Sequence, residues 1–338
     1  MLLLYEHVWN GLAEVLVQRG YEISGMIRCS GMMLDLGIVI VSYNTRDLLR
    51  ACLRSVYASR GDFTFEACVV DNASRDGSAE MVAAEFPQVH LITNRENVGY
   101  PAANNQALRA FGFADQPTNQ LTNQPTFALL LNSDTELPPD AIARMLAFMN
   151  EHPDAGIAGP KVVLPNGSLD LACRRSFPTP EVSFYRMALL SRIFPRSSRF
   201  VRYNLTYLDP DQVTEVDCVM GAFMLVRAEA IAQVGLMDEQ FFMYGEDLDW
   251  AYRIKAMGWK VYYNPSVSVL HVKRASTRQN PRAQIEFYRA MEVFYRKHYA
   301  ATTSRWLHWL IVGIIRLRQG LERMRLAFTP RRRLGVCS

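Results

Sequence analysis

The stretch LGIVIVSYN, residues 36–44, decides the fold because it is a short apolar, β-branched run that ends in small polar residues. A continuous apolar run of this kind is typical of a strand buried on both faces of a parallel sheet. The next residues, 45–59, place apolar side chains at helical spacing, and Thr45 stands where a helix cap is needed. The stretch therefore predicts a buried strand, its exit loop and a helix.

The same strand–loop–helix unit recurs three times further along the chain, with strands predicted at 65–72, 89–94 and 127–132. This repetition predicts an α/β fold with a mostly parallel, doubly wound sheet flanked by helices. In such sheets, ligands bind outside the carboxyl ends of the strands. We therefore expect four polar clusters to converge on one crevice: SYN (42–44), DNASRDGS (71–78), NRENVGY (94–100) and NSDTE (132–136).

Composition and charge narrow the class of protein. The chain has 338 residues, of which 49% are hydrophobic, so it can bury the core of one large domain or two modest ones. The net charge is only +4 and acidic residues run through the middle of the chain, so nucleic-acid binding is not indicated. The six cysteines show neither CxxC pairing nor nearby histidines, which argues against a zinc site or a disulfide scaffold and favours a reducing compartment.

Two segments are predicted to lie outside the main domain, at 36–300. Residues 1–35 form an N-terminal extension, where Glu6 and His7 interrupt the apolar run and so favour neither a signal peptide nor a spanning helix. The extension is either a short amphipathic helix or a stretch upstream of a natural start at Met32. Residues 115–126, DQPTNQLTNQPT, are predicted to be a disordered surface insert without a catalytic role.

The strand-end clusters contain groups suited to a nucleotide and a metal ion. Asp134 ends an apolar strand, where it either caps the next helix or serves as an oxygen ligand of the kind that Mg²⁺ and Mn²⁺ prefer. Asp71 and Asn72 together offer an acceptor and a donor to the edge of a pyrimidine base, although a plain turn also explains them. A nucleoside is also within the reach of exposed backbone and amide groups at Asn97, Gly99 and Asn104.

Taken in order, these motifs, followed by GAFMLVRAEA, GLMDEQFFMYGEDLDWAYRIKAMGWKV and His271, resemble family-2 glycosyltransferases of the GT-A fold, particularly their rhamnosyltransferase-like branch. The resemblance covers about residues 36–300. It implies an inverting transfer of a sugar from a nucleoside diphosphate donor, with deoxythymidine diphosphate rhamnose favoured and a uridine diphosphate sugar as the main rival. It also implies that six residues of two loops hold the nucleoside: Ser42, Tyr43, Asn44, Asp71, Asn72 and Ser74.

The resemblance assigns a metal site to the fourth strand. The family's DxD motif appears here as NSDT, so Asn132 replaces the first aspartate and Asp134 matches the principal ligand of Mg²⁺ or Mn²⁺. In related enzymes, a histidine at the position of His271 completes metal or diphosphate binding, whereas a structural role is the alternative. Lys273 and Arg274 would either meet the diphosphate or remain solvated.

The acidic stretch GEDLD, residues 245–249, is assigned the catalytic base. By resemblance Asp247 removes the proton from the acceptor hydroxyl, and Glu246 is its neighbour or contacts that hydroxyl. Two carboxylates this close raise the pKa of one of them, which suits proton acceptance near neutral pH. The alternative is a solvated helix start with acidic residues at the positive end of the dipole. Asp249 is expected to pair with Arg253, four residues along the helix.

Aromatic residues around this stretch are predicted to form an acceptor platform that limits the access of water. They are Phe241, Phe242, Tyr244 and Trp250.

The C-terminal segment, 301–338, is basic and amphipathic. Residues 305–333 contain eight arginines and one glutamate, and the apolar run at 306–317 is too short for a confident membrane span. It predicts an interfacial helix, with Trp306 and Trp309 at the headgroups of anionic lipid, or a helix packed on the domain. We therefore expect a cytoplasmic protein at the inner face of the cytoplasmic membrane. A polyprenyl-diphosphate-linked or glycan acceptor in cell-surface polysaccharide synthesis fits that position.

Three classes of function remain open from the sequence. The ordered motifs favour a glycosyltransferase. A nucleotidyltransferase lacks support, because no Gly-rich dinucleotide fingerprint or Lys-bearing phosphate loop is present. A non-catalytic, membrane-associated nucleotide-sugar-binding protein is the third class, motivated by Asn132 and the unusual insert.

Overall fold

In the described part of the chain, ten strands form one mixed sheet, and four neighbouring strands of it are parallel, as the sequence predicts. The structure is a computed structural model that describes residues 34–118, 124–273 and 283–328 together with the backbone of 22–24. The strands are β1 (Glu22–Ser24), β2 (Leu36–Ser42), β3 (Phe65–Asp71), β4 (His90–Thr93), β5 (Phe127–Asn132), β6 (Thr135–Glu136), β7 (Ala155–Val163), β8 (Thr214–Val216), β9 (Phe223–Arg227) and β10 (Lys260–His271).

The strand order explains where the site can form. It is β1-β4-β3-β2-β5-β9-β7-β10-β6, and β8 also pairs with β10. Strands β4, β3, β2 and β5 are parallel neighbours, so their carboxyl ends meet at one edge, whereas β9 runs antiparallel to both β5 and β7. Strand β1, from the predicted N-terminal extension, adds an antiparallel edge to β4. The predicted α/β fold is confirmed, and the antiparallel β9 is an addition to it.

Helices flank the sheet and follow the predicted units. They are α1 (Arg46–Tyr57), α2 (Ser78–Glu85), α3 (Tyr100–Ala110), α4 (Ala141–Glu151), α5 (Pro180–Met187), α6 (Leu190–Ile193), α7 (Ala228–Val234), α8 (Glu246–Ala256), α9 (Ala283–His298) and α10 (Arg305–Phe328). In α1 the buried side chains Leu49, Cys52, Leu53 and Val56 recur at the helical period and face the core. Truncating a fully buried leucine such as Leu53 to alanine costs about 2–5 kcal/mol.

The first five residues of the deciding stretch, 36–40, are buried. Leu36, Ile38, Val39 and Ile40 are all fully buried, although successive side chains of a strand point to opposite faces. Both faces of β2 are therefore covered, which explains why its sequence is continuously apolar.

Two local predictions need correction. Thr45 occupies the cap position of α1, but its hydroxyl bonds to the hydroxyls of Ser42 and Ser133 instead of capping the helix. The apolar run VDCVMGAFMLVRAEA, residues 216–230, predicts a single strand, but within it only Val216, the last residue of β8, and residues 223–227, which form β9, are in strands. The intervening chain turns past Arg175, whose backbone N–H donates to the carbonyl of Cys218 at 2.9 Å.

The described ends of the predicted insert are hydrogen-bonded to the domain. The N–H of Thr118 donates to the carbonyl of Ala232 at 2.7 Å, and the N–H of Thr126 donates to the carbonyl of Leu34 at 3.0 Å. Residues 119–123 lie outside the described residues, so disorder of the insert stays a prediction.

Each of the two alternatives for the C-terminal segment describes one face of α10. Val312 and Ile315 are buried, and Arg316 donates to Glu292 of α9 at 2.9 Å, so this face packs on the domain. On the opposite face Trp306 and Trp309 are exposed. No helix in the described part of the chain is both long enough and apolar enough to cross a membrane.

Candidate active site

Asp71 lies at the carboxyl end of β3 with one oxygen engaged and one without a partner. Its Oδ2 accepts the N–H of Ser74 at 2.9 Å, whereas Oδ1 is buried and has no hydrogen-bond partner among the described residues. Burial raises the pKa of this carboxyl group. A buried acceptor without a donor is costly, so Asp71 is suited to receive a hydrogen bond from a ligand.

Asn72, in contrast, makes hydrogen bonds within the protein through both the nitrogen and the oxygen of its side-chain amide. Its amide nitrogen donates to Asn97 Oδ1 and to the carbonyl of Gly99, and its oxygen accepts from Asn94 and from the N–H of Val98. Asn72 therefore shapes the loop that follows β4, and its amide is not available to read a base edge.

The SYN loop is tied to the DNAS loop. Asn44 adopts a left-handed conformation, with φ of 52°, and its N–H donates to Ser74 Oγ at 2.9 Å. Ser42 is fully buried and its hydroxyl bonds to Thr45, whereas Tyr43 is half-buried. The structure thus brings these predicted residues together at the ends of β2 and β3.

Gly99 and Asn104 hold the start of α3. A Cβ on Gly99 would lie 2.8 Å from the carbonyl oxygen of Phe242, and the N–H of Tyr100 donates to that same carbonyl at 2.8 Å. Asn104 donates to the carbonyl of Tyr100, but its own Oδ1 is buried and has no partner within the described ranges. This glycine therefore permits close contact between the nucleoside loop and the loop that precedes α8.

Asp134 and His271, the predicted metal ligands, face each other. Asp134 Oδ1 lies 3.1 Å from His271 Nε2, and His271 Nδ1 lies 3.5 Å from Asp170 Oδ2. Asp170 also accepts a hydrogen bond from Lys273 Nζ at 2.7 Å. Burial lowers the pKa of His271, but the two carboxylates outweigh it and raise this pKa to about 9.

These residues fit a divalent ion only in part. Asp134 presents an oxygen to an ion, and His271 presents Nε2 only after it gives up the proton that the two carboxylates stabilise. Both side chains are oriented by the fold. No group of three side chains of the usual ligand types is arranged around a common point in the described part of the chain. Substrate oxygens and water would therefore have to supply the remaining ligands, as is usual for Mg²⁺. Lys273 is occupied by Asp170, and Arg274 lies outside the described residues.

Asn132, at the position of the first aspartate of DxD, forms a hydrogen bond with Tyr100. Its Oδ1 accepts from the hydroxyl of Tyr100 at 3.0 Å, and that hydroxyl also lies 3.3 Å from the carbonyl of Gly221. Burial raises the pKa of Tyr100, and the nearby carboxyl group of Glu246, which is ionised at the high pH where a tyrosine loses its proton, adds to this effect. Tyr100 therefore joins the end of β5 to the neighbourhood of the acidic stretch.

The candidate base, Asp247, is bound to a buried arginine. Arg175 Nη2 donates to Asp247 Oδ2 and to the carbonyl of Val219, and the two charged side chains are only 10% and 13% exposed. Burial disfavours the charge of Arg175, but Asp247 outweighs it and raises the pKa of the guanidinium. The other oxygen of Asp247 accepts the N–H of Leu248 at 2.8 Å.

Glu246 is buried beside the ion pair of Arg175 and Asp247. Its Oε2 has no hydrogen-bond partner among the described residues. Burial, with a further contribution from the charge of Asp247, raises the pKa of Glu246 to about 8. The pair thus consists of one carboxylate held by an arginine and one carboxyl group that is protonated at neutral pH, which excludes the solvated helix start as its description.

Asp249 has the structural role that the sequence predicts. It accepts from Arg253 Nε at 2.9 Å, which confirms the expected pair. It also accepts from Lys297 and His298 of α9, both at 2.8 Å. Burial raises the pKa of Asp249, but these partners lower it to about 2.

The predicted aromatic platform is wrong for two of its four members. Phe241 and Trp250 are 2% and 0% exposed, and Trp250 Nε1 donates to the carbonyl of Gly235 at 3.0 Å. They belong to the core because Trp250 lies on the buried face of α8. Phe242 and Tyr244 are half-buried and line the loop before α8.

Asp170, Arg175 and Tyr100 are site residues that the sequence reasoning missed. Asp170 and Arg175 come from the irregular chain after β7, where no periodicity marks them. Tyr100 stood inside the NVGY motif, but only its glycine and asparagines were considered. A tyrosine directly after a glycine at the start of a helix was the available signal.

Comparison with known proteins gives consistent matches. A sequence model described as glycosyl transferase family 2 matches residues 37–232. The chain is 28% identical, over 89% of its length and 97% of the relative's, to N-acetylglucosaminyl-diphospho-decaprenol L-rhamnosyltransferase of Mycobacterium tuberculosis. It is 25% identical to a low-salt glycan biosynthesis hexosyltransferase of Haloferax volcanii, over 81% of this chain and 77% of that one.

Solved structures of glycosyltransferases share the fold. A mannosyltransferase from Pyrobaculum calidifontis in complex with GDP-Man and Mn²⁺ matches with a TM-score of 0.50 at 16% identity, over 95% of this chain and 81% of that one. A structure that contains UDP, GalNAc and Mn²⁺ matches with a TM-score of 0.53 at 15% identity, over 85% of this chain and 55% of that one.

Proposed function

The chain belongs to glycosyl transferase family 2, and on that premise we propose that it transfers rhamnose from its deoxythymidine diphosphate to a hydroxyl of a polyprenyl-diphosphate-linked saccharide. The glycosyltransferase activity and a role in polysaccharide synthesis follow from the family and from the rhamnosyltransferase relative. The donor and the acceptor are the proposed part, and they are motivated by the name of that relative. A uridine diphosphate sugar is the rival donor.

The observation that carries the proposal is the set of buried, unpartnered oxygens at the predicted site. Asp71 Oδ1, Asn104 Oδ1 and Glu246 Oε2 are all buried without a partner in the residues that the structure describes. A fold rarely leaves buried polar atoms unsatisfied, so unpartnered oxygens at the predicted site are available to hydrogen-bond a ligand. We assign Asp71 to the N–H of a pyrimidine ring, with the SYN and DNAS loops around the nucleoside. Asn72, Asn97 and Gly99 shape this pocket.

Asp134 and His271 would hold a divalent ion, either Mg²⁺ or Mn²⁺. When bound, such an ion neutralises the charge that develops on a leaving diphosphate. Asp170 orients the His271 ring from its far nitrogen, which leaves Nε2 directed at Asp134.

Asp247 is proposed as the general base. The acceptor oxygen forms a bond to the anomeric carbon while its proton passes to Asp247. The bond from that carbon to the diphosphate oxygen breaks, and its electron pair leaves with the nucleoside diphosphate. This single displacement inverts the anomeric centre. Protonated Glu246 donates a hydrogen bond to the acceptor, and the contact with Arg175 holds the Asp247 side chain in position.

The proposed location is the inner face of the cytoplasmic membrane. The support is the outward face of α10, which exposes Trp306 and Trp309 together with Leu310 and Leu317, and which is flanked by arginines. Apolar side chains with basic flanks suit an anionic headgroup region. A lipid-linked acceptor would be met at that surface.

Thermal unfolding with nucleoside diphosphates tests the donor side. Native-state ligands raise the melting temperature, so we expect one pyrimidine diphosphate to do so more strongly with Mn²⁺ or Mg²⁺ than without. Asp71→Asn should abolish the selectivity, whereas exposed Asp62→Asn is the matched control. No shift with any nucleotide in a folded sample would favour the non-catalytic reading that Asn132 motivated.

Replacing the base tests the chemistry. Asp247→Asn is expected to retain donor binding and to lose transfer by roughly a hundredfold to ten-thousandfold, as is typical when a general base is removed. Transfer of labelled rhamnose to a lipid-linked acceptor measures this. Unchanged transfer would overturn the assignment of Asp247.

A further inference from the structure

Residues 180–207, which we call the basic lobe, leave the sheet beside the candidate base. The N–H of Ser176 donates to the carbonyl of Tyr203 at 2.9 Å, which closes the lobe at its root. The preceding residue, Arg175, is the ion-pair partner of Asp247. The root of the lobe therefore adjoins the position where an acceptor would be deprotonated.

The lobe buries one side and exposes a large apolar surface on the other. Tyr185 and Phe200 pack edge to face with ring centroids 4.9 Å apart, and they form part of a small inner core. The outer apolar side chains are Phe184 (61% exposed), Met187 (36%), Leu189 (50%), Ile193 (63%) and Phe194 (49%). Five exposed apolar side chains within residues 184–194 indicate an interaction site.

The same surface is strongly basic. Residues 180–207 contain five arginines and one acidic residue, Glu181. Glu181 is already paired with Arg199, at 3.0 Å. Arginines interleaved with large apolar residues are the composition of protein surfaces that bind anionic lipid.

The basic lobe and α10 arise from one place in the fold. The ring of Tyr252 in α8 lies 5.0 Å from Phe177, just before the lobe. It also lies 4.0 Å from His298 and 6.1 Å from Tyr299, just before α10. Two surfaces of the same composition thus have adjacent roots.

We infer that the basic lobe enters the headgroup region of an anionic bilayer and, together with α10, presents the acceptor side of the active site to the membrane. This inference rests on the proposed function for the acceptor but not for the lipid contact. A second copy of the chain is the poorer partner, because a symmetric interface through this surface would bring two sets of five arginines together. The aliphatic side chains at 187, 189 and 193 also suit acyl chains better than they suit stacked bases.

Vesicle sedimentation with the full chain tests the lipid contact. The probes are vesicles of phosphatidylcholine alone and of phosphatidylcholine mixed with phosphatidylglycerol. Replacing Phe184, Ile193 and Phe194 together with serine is expected to weaken binding to the anionic vesicles roughly tenfold or more. The same loss is expected from Trp306→Ser with Trp309→Ser. Met257→Ser is the matched control, since Met257 is 55% exposed at the end of α8, outside both surfaces.

A separate experiment tests how much the arginine charges contribute to vesicle binding. Arg192→Gln with Arg196→Gln should weaken binding to anionic vesicles by roughly fivefold per arginine at low salt, and should not change binding to neutral ones. Arg192 and Arg196 are exposed, so the melting temperature should be unchanged in this variant.

Three results would overturn the inference. In one, the triple serine variant binds anionic vesicles as the unmodified chain does. In another, the triple serine variant, the variant that lacks Trp306 and Trp309, and the Met257→Ser control all lose binding equally. In the third, ultracentrifugation shows a dimer that the lobe variant dissociates, with vesicle binding unchanged. Vesicle binding needs no turnover, so failure of the proposed reaction leaves this test readable. If the reaction is correct, the lobe variant raises KM for a lipid-linked acceptor and leaves nucleotide binding intact.

Discussion

Replacing Glu246 with glutamine is expected to stabilise the protein above pH 5. Glu246 is buried, and its pKa is raised to about 8 from an ordinary 4.5 by burial and by the charge of Asp247. The folded state therefore holds a proton that the unfolded chain releases above pH 4.5. Stability from this group is fully present below pH 4.5 and is lost progressively as the pH rises toward 8.

The magnitude follows from the separation of the two pKa values. Between 4.5 and pH 7 the unfolded carboxyl gains about 3 kcal/mol by ionising, at about 1.36 kcal/mol per unit of pH. Glutamine matches the shape of the protonated acid and cannot ionise in either state. The variant should therefore exceed the unmodified protein in free energy of unfolding by about 3 kcal/mol at pH 7 and by almost nothing at pH 4.5.

Urea unfolding followed by circular dichroism, at several values between pH 5 and pH 8, measures this difference. Glu151→Gln is the matched control, because Glu151 is exposed at the end of α4 and its replacement should change stability by less than about 0.5 kcal/mol. Parallel pH profiles for the unmodified protein and Glu246→Gln would mean that Glu246 is ionised in the folded state. The assignment of Glu246 as a hydrogen-bond donor to the acceptor would then fail.

Three further predictions concern the partners of the site. Arg175→Gln leaves its buried carboxylate partner unpaired, so urea unfolding should show a loss of about 3–5 kcal/mol, and an unchanged midpoint would mean that the pair is screened by solvent. Asp170→Ala removes the group that orients His271 and should weaken Mn²⁺ binding, measured by calorimetry with nucleotide present, by roughly tenfold to a hundredfold; equal affinity would remove Asp170 from the site. Gly99→Ala puts a Cβ 2.8 Å from a backbone carbonyl oxygen at a φ of 92° and should lower the free energy of unfolding by about 3 kcal/mol or more. Gly167→Ala is the control, since Gly167 has a φ of 77° but nothing within 4 Å of its Cβ position, and it should lower that free energy by only about 1 kcal/mol. Equal thermal shifts of the two variants would refute the clash.

The donor side of the site could be predicted because it depends on strand ends. Asp71 and Asp134 follow apolar runs of parallel strands, and parallel strands place their carboxyl ends at one edge whatever the rest of the fold does. The pattern that predicts the strand thus also places the residue after it. What the pattern could not show is which of two neighbours faces a ligand. Among the described residues, Asp71 keeps one oxygen without a hydrogen-bond partner and Asn72 keeps none, and that difference arises from contacts with the loop at 94–99.

The acceptor side was predicted less well because its aromatic residues were judged by their neighbours in sequence. Trp250 was assigned to a platform since it follows the acidic stretch, yet Trp250, Ala251 and Ile254 form the buried face of α8. Helical periodicity predicts that face, so the signal was present. Phe241 offered no such signal, because the loop before α8 has no period.

Two of the three residues that the sequence reasoning missed, Asp170 and Arg175, share one origin, the irregular chain between β7 and β8. Asp170 of this segment contacts His271, and Arg175 contacts Asp247, so a single segment supplies an oppositely charged partner to both the predicted metal ligand and the candidate base. The basic lobe continues from the same segment. If the lobe rests on lipid, displacement of this segment by the membrane would act on Arg175 first, five residues away along the chain. Arg175→Lys keeps the charge but loses the paired contacts to Asp247 and to the carbonyl of Val219. The change in the rate of turnover when anionic vesicles are added should therefore be smaller in that variant than in the unmodified chain.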